Sequence, residues 1–479
     1  MGVVAYALAG TIDDVTSELM NGGARLHEAI NAGVQDALAR EVAPLTVEVA
    51  SEIIRANSGW SVTPKAVSHT SQLPSNLPCE DTWNTGQFVF FDDRNKDWCE
   101  WTLCDGHAGS RTAELLKGHL AAMVGTKLSQ AQCMEKPYSP NDVQIINTIK
   151  DAFKSLDQHL MDGAAKAIES GGALADVVAN GAAVYSGSCA LLALYDPARS
   201  ILRVANVGDS RAVLGRWDGK RYVAKPMSND HTGFNENEVA RLQREHPGED
   251  VVDPKTGRVH GLAVTRAFGD ARWKWVESIT KKAQEKFFGP APRPNGVIKT
   301  PPYLTAEPEV TEIRVNEGDH PDFLIMASDG LWDNMSSEDA VTCVQMWLEK
   351  FKPMDALEQQ GPVTLEASKG GMWKGQETEG FGSLPTFSSA ADVSGENDDV
   401  YYDENERCLR WRVSPKHFVV EDDGNCGAHL IKNALGGKRR DLFTGIMTIQ
   451  PPYSRNVRDD ITVHVIFFGM DPSETAKLL

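Results

Sequence analysis

Near the N-terminus apolar residues recur at helical spacing, as in Leu26, Ile30, Val34 and Leu38, and predict an amphipathic helical extension over residues 1–65. Beyond residue 66 the pattern changes to short apolar runs broken by turn residues. Gln87–Phe91 and Trp98–Cys104 read as buried strands, the second running straight into Asp105-Gly106-His107. Helical patterns follow over 110–128 and 141–168, with Asn141 or Ser139 as the cap of the second. From Ser188 to Pro226, short apolar runs separated by Asp196-Pro197 and Trp217-Asp218-Gly219 predict an antiparallel meander.

A polar helix is expected near 235–245, then an irregular stretch to about 305. The strand 322–328 ends at Asp329-Gly330, and a helix near 337–350 follows. Residues 355–407 are rich in Gly, Ser, Glu and Asp and read as a surface insertion. A last helix near 427–435 and the strand Ile461–Phe468, directly after Asp459-Asp460, complete the pattern. The mixture predicts an α+β fold over 66–470, two packed antiparallel sheets with helices on both outer faces, and a tail over 471–479.

Composition narrows the function. The 479 residues carry 48 Lys and Arg against 67 Asp and Glu, a net charge of −19. A surface that acidic repels phosphate backbones, so nucleic-acid binding is not expected. No apolar run is long enough to span a bilayer. The eight cysteines contain no CxxC pair, which argues against a disulfide framework and a thiolate zinc site. Cys79 and Cys104 read as small structural residues, Arg211 and Arg266 as local ion-pair partners, and Trp98, Trp101 and Trp332 as core. Glu421-Asp422-Asp423 reads as a solvated loop.

The informative feature is where the acids stand. Glu80-Asp81 precede a strand, Asp105 and Asp329 end strands, Asp209 lies between two, and Asp459 precedes the last. Carboxylates brought together at strand mouths repel one another and resist desolvation, so protons or cations must neutralise them. An all-oxygen set suits Mg²⁺ or Mn²⁺ better than zinc. Gly106 and Gly330, directly after two of the acids, allow close approach to the backbone.

In order along residues 70–470 stand PCED around Glu80-Asp81, DGHAG (105–109), SGSCALLAL (186–194), ANVGDSRAVL (205–214), GLAVTRAFGD (261–270), ASDGLWDNM (327–335) and RDDITVHVI (458–466). With these seven motifs the chain resembles the metal-dependent protein serine/threonine phosphatases (PPM, type 2C). Four further segments, SNLPCED (75–81), SNDHTGFNENEVARLQREHP (228–247), TPPYLTAEPEVT (300–311) and AHLIKNALG (428–436), are similar to the pyruvate dehydrogenase phosphatase branch. Many members of the family carry an arginine four residues before the Glu that contacts substrate phosphate. Here that position is Asn76, as in the mitochondrial branch.

The resemblance implies two central Mg²⁺ or Mn²⁺ ions and a weaker third. Asp105 bridges the pair, Asp329 and Asp459 serve the first, and Glu80 with the Gly106 carbonyl serves the second. Asp209 and Asp333, with Asp329, match the third position. Asp81 and Asp460 stand behind these groups, and Asn76 faces the substrate. A water held between the two ions attacks phosphorus in line, and His107 is the general acid for the departing Ser or Thr oxygen. Asp270 reads as a supporting or structural acid. The implied substrate is the E1α subunit of the pyruvate dehydrogenase complex. Another signalling phosphoprotein, or a non-catalytic binding role, is the alternative. The implied location is the mitochondrial matrix, although the first twenty residues hold three acids and no Lys or Arg, unlike a transit peptide, which leaves the cytoplasm as the alternative.

Overall fold

Strand Trp98–Cys104 shows how the sequence builds the layers. Its successive side chains point to opposite faces. Cys99, Trp101 and Leu103 enter a cluster with Ala193, Leu214, Met326 and Ile466, the filling between two sheets. Trp98 and Cys104 face the other way, against Leu116, Leu120, Ile149 and Phe153 of two long helices. Buried on both faces, the strand is apolar except at Thr102, which donates to Glu100 at 2.9 Å, and at Glu100 itself. Each large apolar side chain withdrawn from water contributes about 1.5–3 kcal/mol.

The computed structural model describes residues 43–63, 65–88, 97–131, 141–294, 296–354, 400–403, 408–421 and 424–470. Most of the expected N-terminal extension, most of the 355–407 insertion and the 471–479 tail lie outside these residues. Val47–Leu479 forms one unit and Met1–Thr46 another. One sheet of the larger unit has six strands in the order Ser58–Thr63, Ala66–Leu73, Ile461–Phe468, Phe323–Ala327, Arg211–Trp217, Tyr222–Pro226. The second has five, Glu309–Arg314, Ile201–Val207, Ala190–Asp196, Trp98–Cys104, Thr82–Phe88. All pairings within both sheets are antiparallel.

Helices Arg111–Gln130 and Asp142–Ser170 cover the outer face of the five-stranded sheet. Asn141, rather than Ser139, caps the second by accepting from Gln144 N. Helices Ser337–Leu348 and Cys426–Ala434 cover the six-stranded sheet, where Trp347 stacks on Phe467 with ring centroids 5.7 Å apart. The α+β reading, with two antiparallel sheets between helical layers, is the architecture observed.

Several elements depart from the sequence reading. Residues 47–63, assigned to the extension, form helix Val47–Ala56 and the edge strand Ser58–Thr63. The next strand, Ala66–Leu73, is buried but reads AVSHTSQL. Its polar residues are satisfied in place: Ser71 Oγ accepts from Ser58 Oγ at 2.8 Å, and Thr70 Oγ1 bonds His464 Nδ1 at 2.8 Å. A hydroxyl ladder leaves no apolar alternation to read.

The run 188–226 is not one meander. Its first two strands belong to the five-stranded sheet and its last two to the six-stranded sheet. The chain crosses between layers at Gly208–Ser210, with Gly208 at φ 105°. The stretch expected to be irregular contains helix Glu277–Phe287, and helix Leu174–Tyr185 was not anticipated.

Candidate metal centre

The strand registers place the acids at one end of the sandwich. Thr82 pairs with Cys104, Ala190 with Val207, and Ala327 with both Val463 and Arg211. Asp81, Asp105, Asp209, Asp329 and Asp460, one to three positions beyond those residues, therefore emerge at the same mouth. The crossover between sheets delivers Asp209 there.

Carboxylate oxygens of Asp105, Asp209 and Asp329 lie within 4.8 Å of one another. Asp105 Oδ2 accepts from Ser210 Oγ at 3.3 Å and from Asp329 N at 3.4 Å. Burial, and then the charges of Asp81, Asp209 and Asp459, push the Asp105 carboxyl well above the usual range. Burial followed by Asp105 and Asp459 does the same to Asp329. Burial raises Asp459 despite Arg455, which pairs with it. Burial pushes Asp209 up to about 6. Three half-buried carboxylates held this close strain against one another unless positive charge arrives.

The flanking residues hold this arrangement. Glu80 Oε1 accepts from Gly109 N at 2.6 Å, and burial raises its carboxyl. A Cβ at Gly106 would stand 2.4 Å from the Glu80 carbonyl, and one at Gly330 would stand 2.3 Å from the Asp460 carbonyl. Both glycines are required by backbone approach. Asp460 accepts from Ser75 N, from Asn76 N at 2.9 Å and from Glu80 N at 2.9 Å, clamping the loop that carries Glu80. The Asn76 amide nitrogen donates to Asp460 at 3.1 Å and to Glu80 at 3.5 Å. Asp81 is buried, with one carboxylate oxygen lacking a partner among the described residues. Asp333 lies beside the group but pairs with Arg410.

An all-oxygen donor set, crowded charge and an orphaned buried oxygen fit a hard divalent cation. A second acidic group does not: Glu238, near His231 and Glu309, is already held by Arg241 and Arg266.

Residues 78–361, more than half the chain, match the family described as protein phosphatase 2C. The chain belongs to the protein phosphatase 2C family. It is 36% identical over 407 residues to a protein phosphatase 2C homolog of Schizosaccharomyces pombe, covering 83% of this chain and 79% of the relative. It is 34% identical over 423 residues to the mitochondrial pyruvate dehydrogenase (acetyl-transferring) phosphatase 1 of Saccharomyces cerevisiae, covering 83% and 68%. A solved serine-threonine phosphatase 2C from Toxoplasma gondii superposes with TM-score 0.47 at 15% identity, covering 86% of this chain and 97% of that one.

In this protein phosphatase 2C member, His107 stands beside the acids. Its Nε2 meets Asp270 Oδ2 at 2.7 Å. Burial works against its charged form, but the charge and hydrogen bond of Asp270, helped by Asp209 and Glu80, raise its pKa. A Cβ at Gly187 would lie 2.2 Å from both partner atoms, so glycine there makes room for the pair. Asp270 has φ 57°, an uncommon backbone state for a residue with a side chain, held by Asp270 N donating to Ser186 O at 3.0 Å.

Arg211 and Arg266 form the expected local ion pairs, with Asp230 and Glu238. Cys104 is fully buried, which pushes its thiol up and out of nucleophilic range. Glu421 corrects the solvated-loop reading, since it pairs with Lys432 and Arg440 under the surface; Asp422 and Asp423 lie outside the described residues. Sequence reasoning missed Arg455, although it stands four residues before Asp459 at the close of a short helical turn. It also missed Ser210 and Cys189, whose Sγ donates to Asp209 at 3.2 Å. No spacing rule signals either.

Proposed function

We propose that the chain is an Mg²⁺- or Mn²⁺-dependent phosphatase acting on phosphoserine or phosphothreonine of the pyruvate dehydrogenase E1α subunit, in mitochondria. Family membership supports the protein phosphatase reading. The yeast relative, named as a pyruvate dehydrogenase phosphatase and covered over most of its length, supports the substrate and the location. The observation that carries the mechanism is the meeting of Asp105, Asp209 and Asp329 at one mouth.

In this reading Asp105, Asp329, Asp459, Glu80 and the Gly106 carbonyl would hold the two central ions. Asp209 and Asp333, the latter paired with Arg410, would hold a third. When bound, the cations make water nucleophilic at neutral pH and draw charge from the phosphoryl oxygens. The chain's own residues do the rest. Asp460 fixes the loop of Glu80, and Asn76, held on that loop by the same carboxylate, would face the phosphoryl group. Asp81, buried behind these acids with one oxygen unpartnered among the described residues, would orient water held there. Asp270 fixes the His107 ring and favours its protonated form, so that His107 gives a proton to the serine or threonine oxygen as the phosphorus–oxygen bond breaks. No side chain forms a bond to phosphorus, so no cysteine is needed.

The test is turnover of phosphorylated E1α against a panel of other phosphoproteins, with Mg²⁺, with Mn²⁺ and with neither. The expected result is metal-dependent release of phosphate with E1α preferred. Equal rates across the panel would remove the substrate assignment, and metal-independent turnover would remove the mechanism.

A further inference from the structure

Arg455 is an outward-turned cation at the acid mouth. Its side chain is 51% exposed and meets Asp459 through Nη1. Among the described residues its Nε and Nη2 have no partner, so one edge of the guanidinium keeps Asp459 while the other stays open. Partial burial works against its charge, but Asp459 and then Asp329, with Asp460, hold its pKa above the ordinary value. Glu80 feels the same positive charge. The guanidinium is therefore within electrostatic reach of acids from three separate segments that meet at the mouth.

The fold fastens it there. Arg455 lies on the short helical turn Tyr453–Asn456. Ser454, fully buried, donates through Oγ to Ser75 O at 2.5 Å, and Arg458 donates through Nη2 to Pro74 O at 3.0 Å. The turn is thus bonded to the loop that carries Asn76 and Glu80, which Asp460 holds from within. Asn76 itself has little left to offer an anion, because its amide nitrogen already donates to Asp460 at 3.1 Å and to Glu80 at 3.5 Å. The neighbouring arginines are committed elsewhere: Arg458 is buried on Pro74 O, Arg211 pairs with Asp230, and Arg410 pairs with Asp333. A phosphoryl dianion arriving among carboxylates needs donors from the protein. The open Nε–Nη2 edge presents two parallel N–H groups, the geometry that phosphate oxygens accept.

We propose that Arg455 is a substrate-binding residue that takes two oxygens of the phosphoryl group through Nε and Nη2 while Nη1 stays on Asp459. The inference rests on the phosphatase reading. It makes the turn Tyr453–Asn456 part of the rim of the site and assigns to Arg455 recognition of the phosphoryl group rather than of the peptide around it.

The experiment titrates inorganic phosphate calorimetrically into the Mg²⁺-loaded full chain and into its Arg455→Gln variant. It also measures kcat/KM of both proteins on a phosphoserine peptide and on p-nitrophenyl phosphate. Phosphate should bind about 10–100-fold more weakly to the variant. The rate constant should fall by a similar factor on both substrates, since the phosphoryl group is what they share. Mg²⁺ affinity, titrated separately, should not weaken, because the change removes a positive charge beside Asp459. Unchanged phosphate affinity would make Arg455 only a partner of Asp459 and overturn the proposal. A loss confined to the peptide would also overturn it, by placing Arg455 against the peptide chain. Failure of wild type to cleave either substrate would instead overturn the phosphatase reading.

Discussion

Asp105 carries the heaviest load of any single residue. It ends a central strand, accepts from Ser210 and from the Asp329 backbone, and shares its mouth with Asp209 and Asp329. Asp105→Asn keeps the shape and removes the charge. Turnover should fall by about 100-fold or more while the far-UV circular dichroism spectrum is unchanged. Retained activity in a correctly folded variant would contradict the assigned role. In the proposed mechanism Asp270 acts through His107, to which it is bonded, and its effect should depend on the leaving group. Asp270→Asn should slow phosphoserine peptide cleavage by about 10–100-fold. It should leave p-nitrophenyl phosphate, whose phenolate departs without a proton, within about twofold. Equal losses on both substrates would make Asp270 purely structural.

At the level of elements, buried charge fixes helix Glu236–Glu245 to the segment behind it. Glu238 is almost wholly buried and bonds Arg241, Arg266 and Thr265. Those bonds hold its carboxyl well below the usual range despite burial. Glu238→Ala removes the buried carboxylate shared by two guanidinium groups, leaving Arg241 with Glu245 and Arg266 with the Glu307 carbonyl, and should cost about 2–4 kcal/mol in urea denaturation. Because the folded pKa is depressed, the stabilisation is present above the unfolded value near 4.3 and is lost as the pH falls below it. The wild-type stability advantage over the variant should therefore shrink between pH 5 and pH 3. A constant difference across that window would argue that packing, not charge, holds the helix.

The same scale shows what the sequence could and could not disclose. Strands buried on both faces, such as Trp98–Cys104 and Ile461–Phe468, announce themselves as apolar runs. Asp105 and Asp459, abutting those runs, were legible for that reason. Ala66–Leu73 was hidden because serine, threonine and histidine fill its buried positions through paired hydrogen bonds. The crossing between sheets at Gly208–Ser210 was hidden because a turn looks alike whether the chain returns to its own sheet or leaves it. Partners supplied by distant loops, Asp270 for His107 and Arg410 for Asp333, have no local signature.

For the whole molecule, the acid mouth couples stability to metal and to pH. Asp105, Asp209, Asp329 and Asp459 all have raised pKa values, Asp209 at about 6. A carboxyl with a raised folded pKa favours the protonated fold, so the metal-free protein loses stability as pH rises through those values. A divalent cation held by these carboxylates would displace the protons and remove the repulsion. The rise in melting temperature on adding Mn²⁺ should be larger at pH 7.5 than at pH 5.5, and EDTA should reverse it. A gain independent of pH would place the ion away from these carboxylates.

The most direct measurement is anomalous diffraction from crystals of the full chain soaked in Mn²⁺. Two or more anomalous peaks are expected within coordinating reach of the Asp105 carboxylate, one of them shared with Asp329, and they should vanish in Asp105→Asn crystals. Peaks only elsewhere on the surface, or none at a saturating Mn²⁺ concentration, would contradict the account.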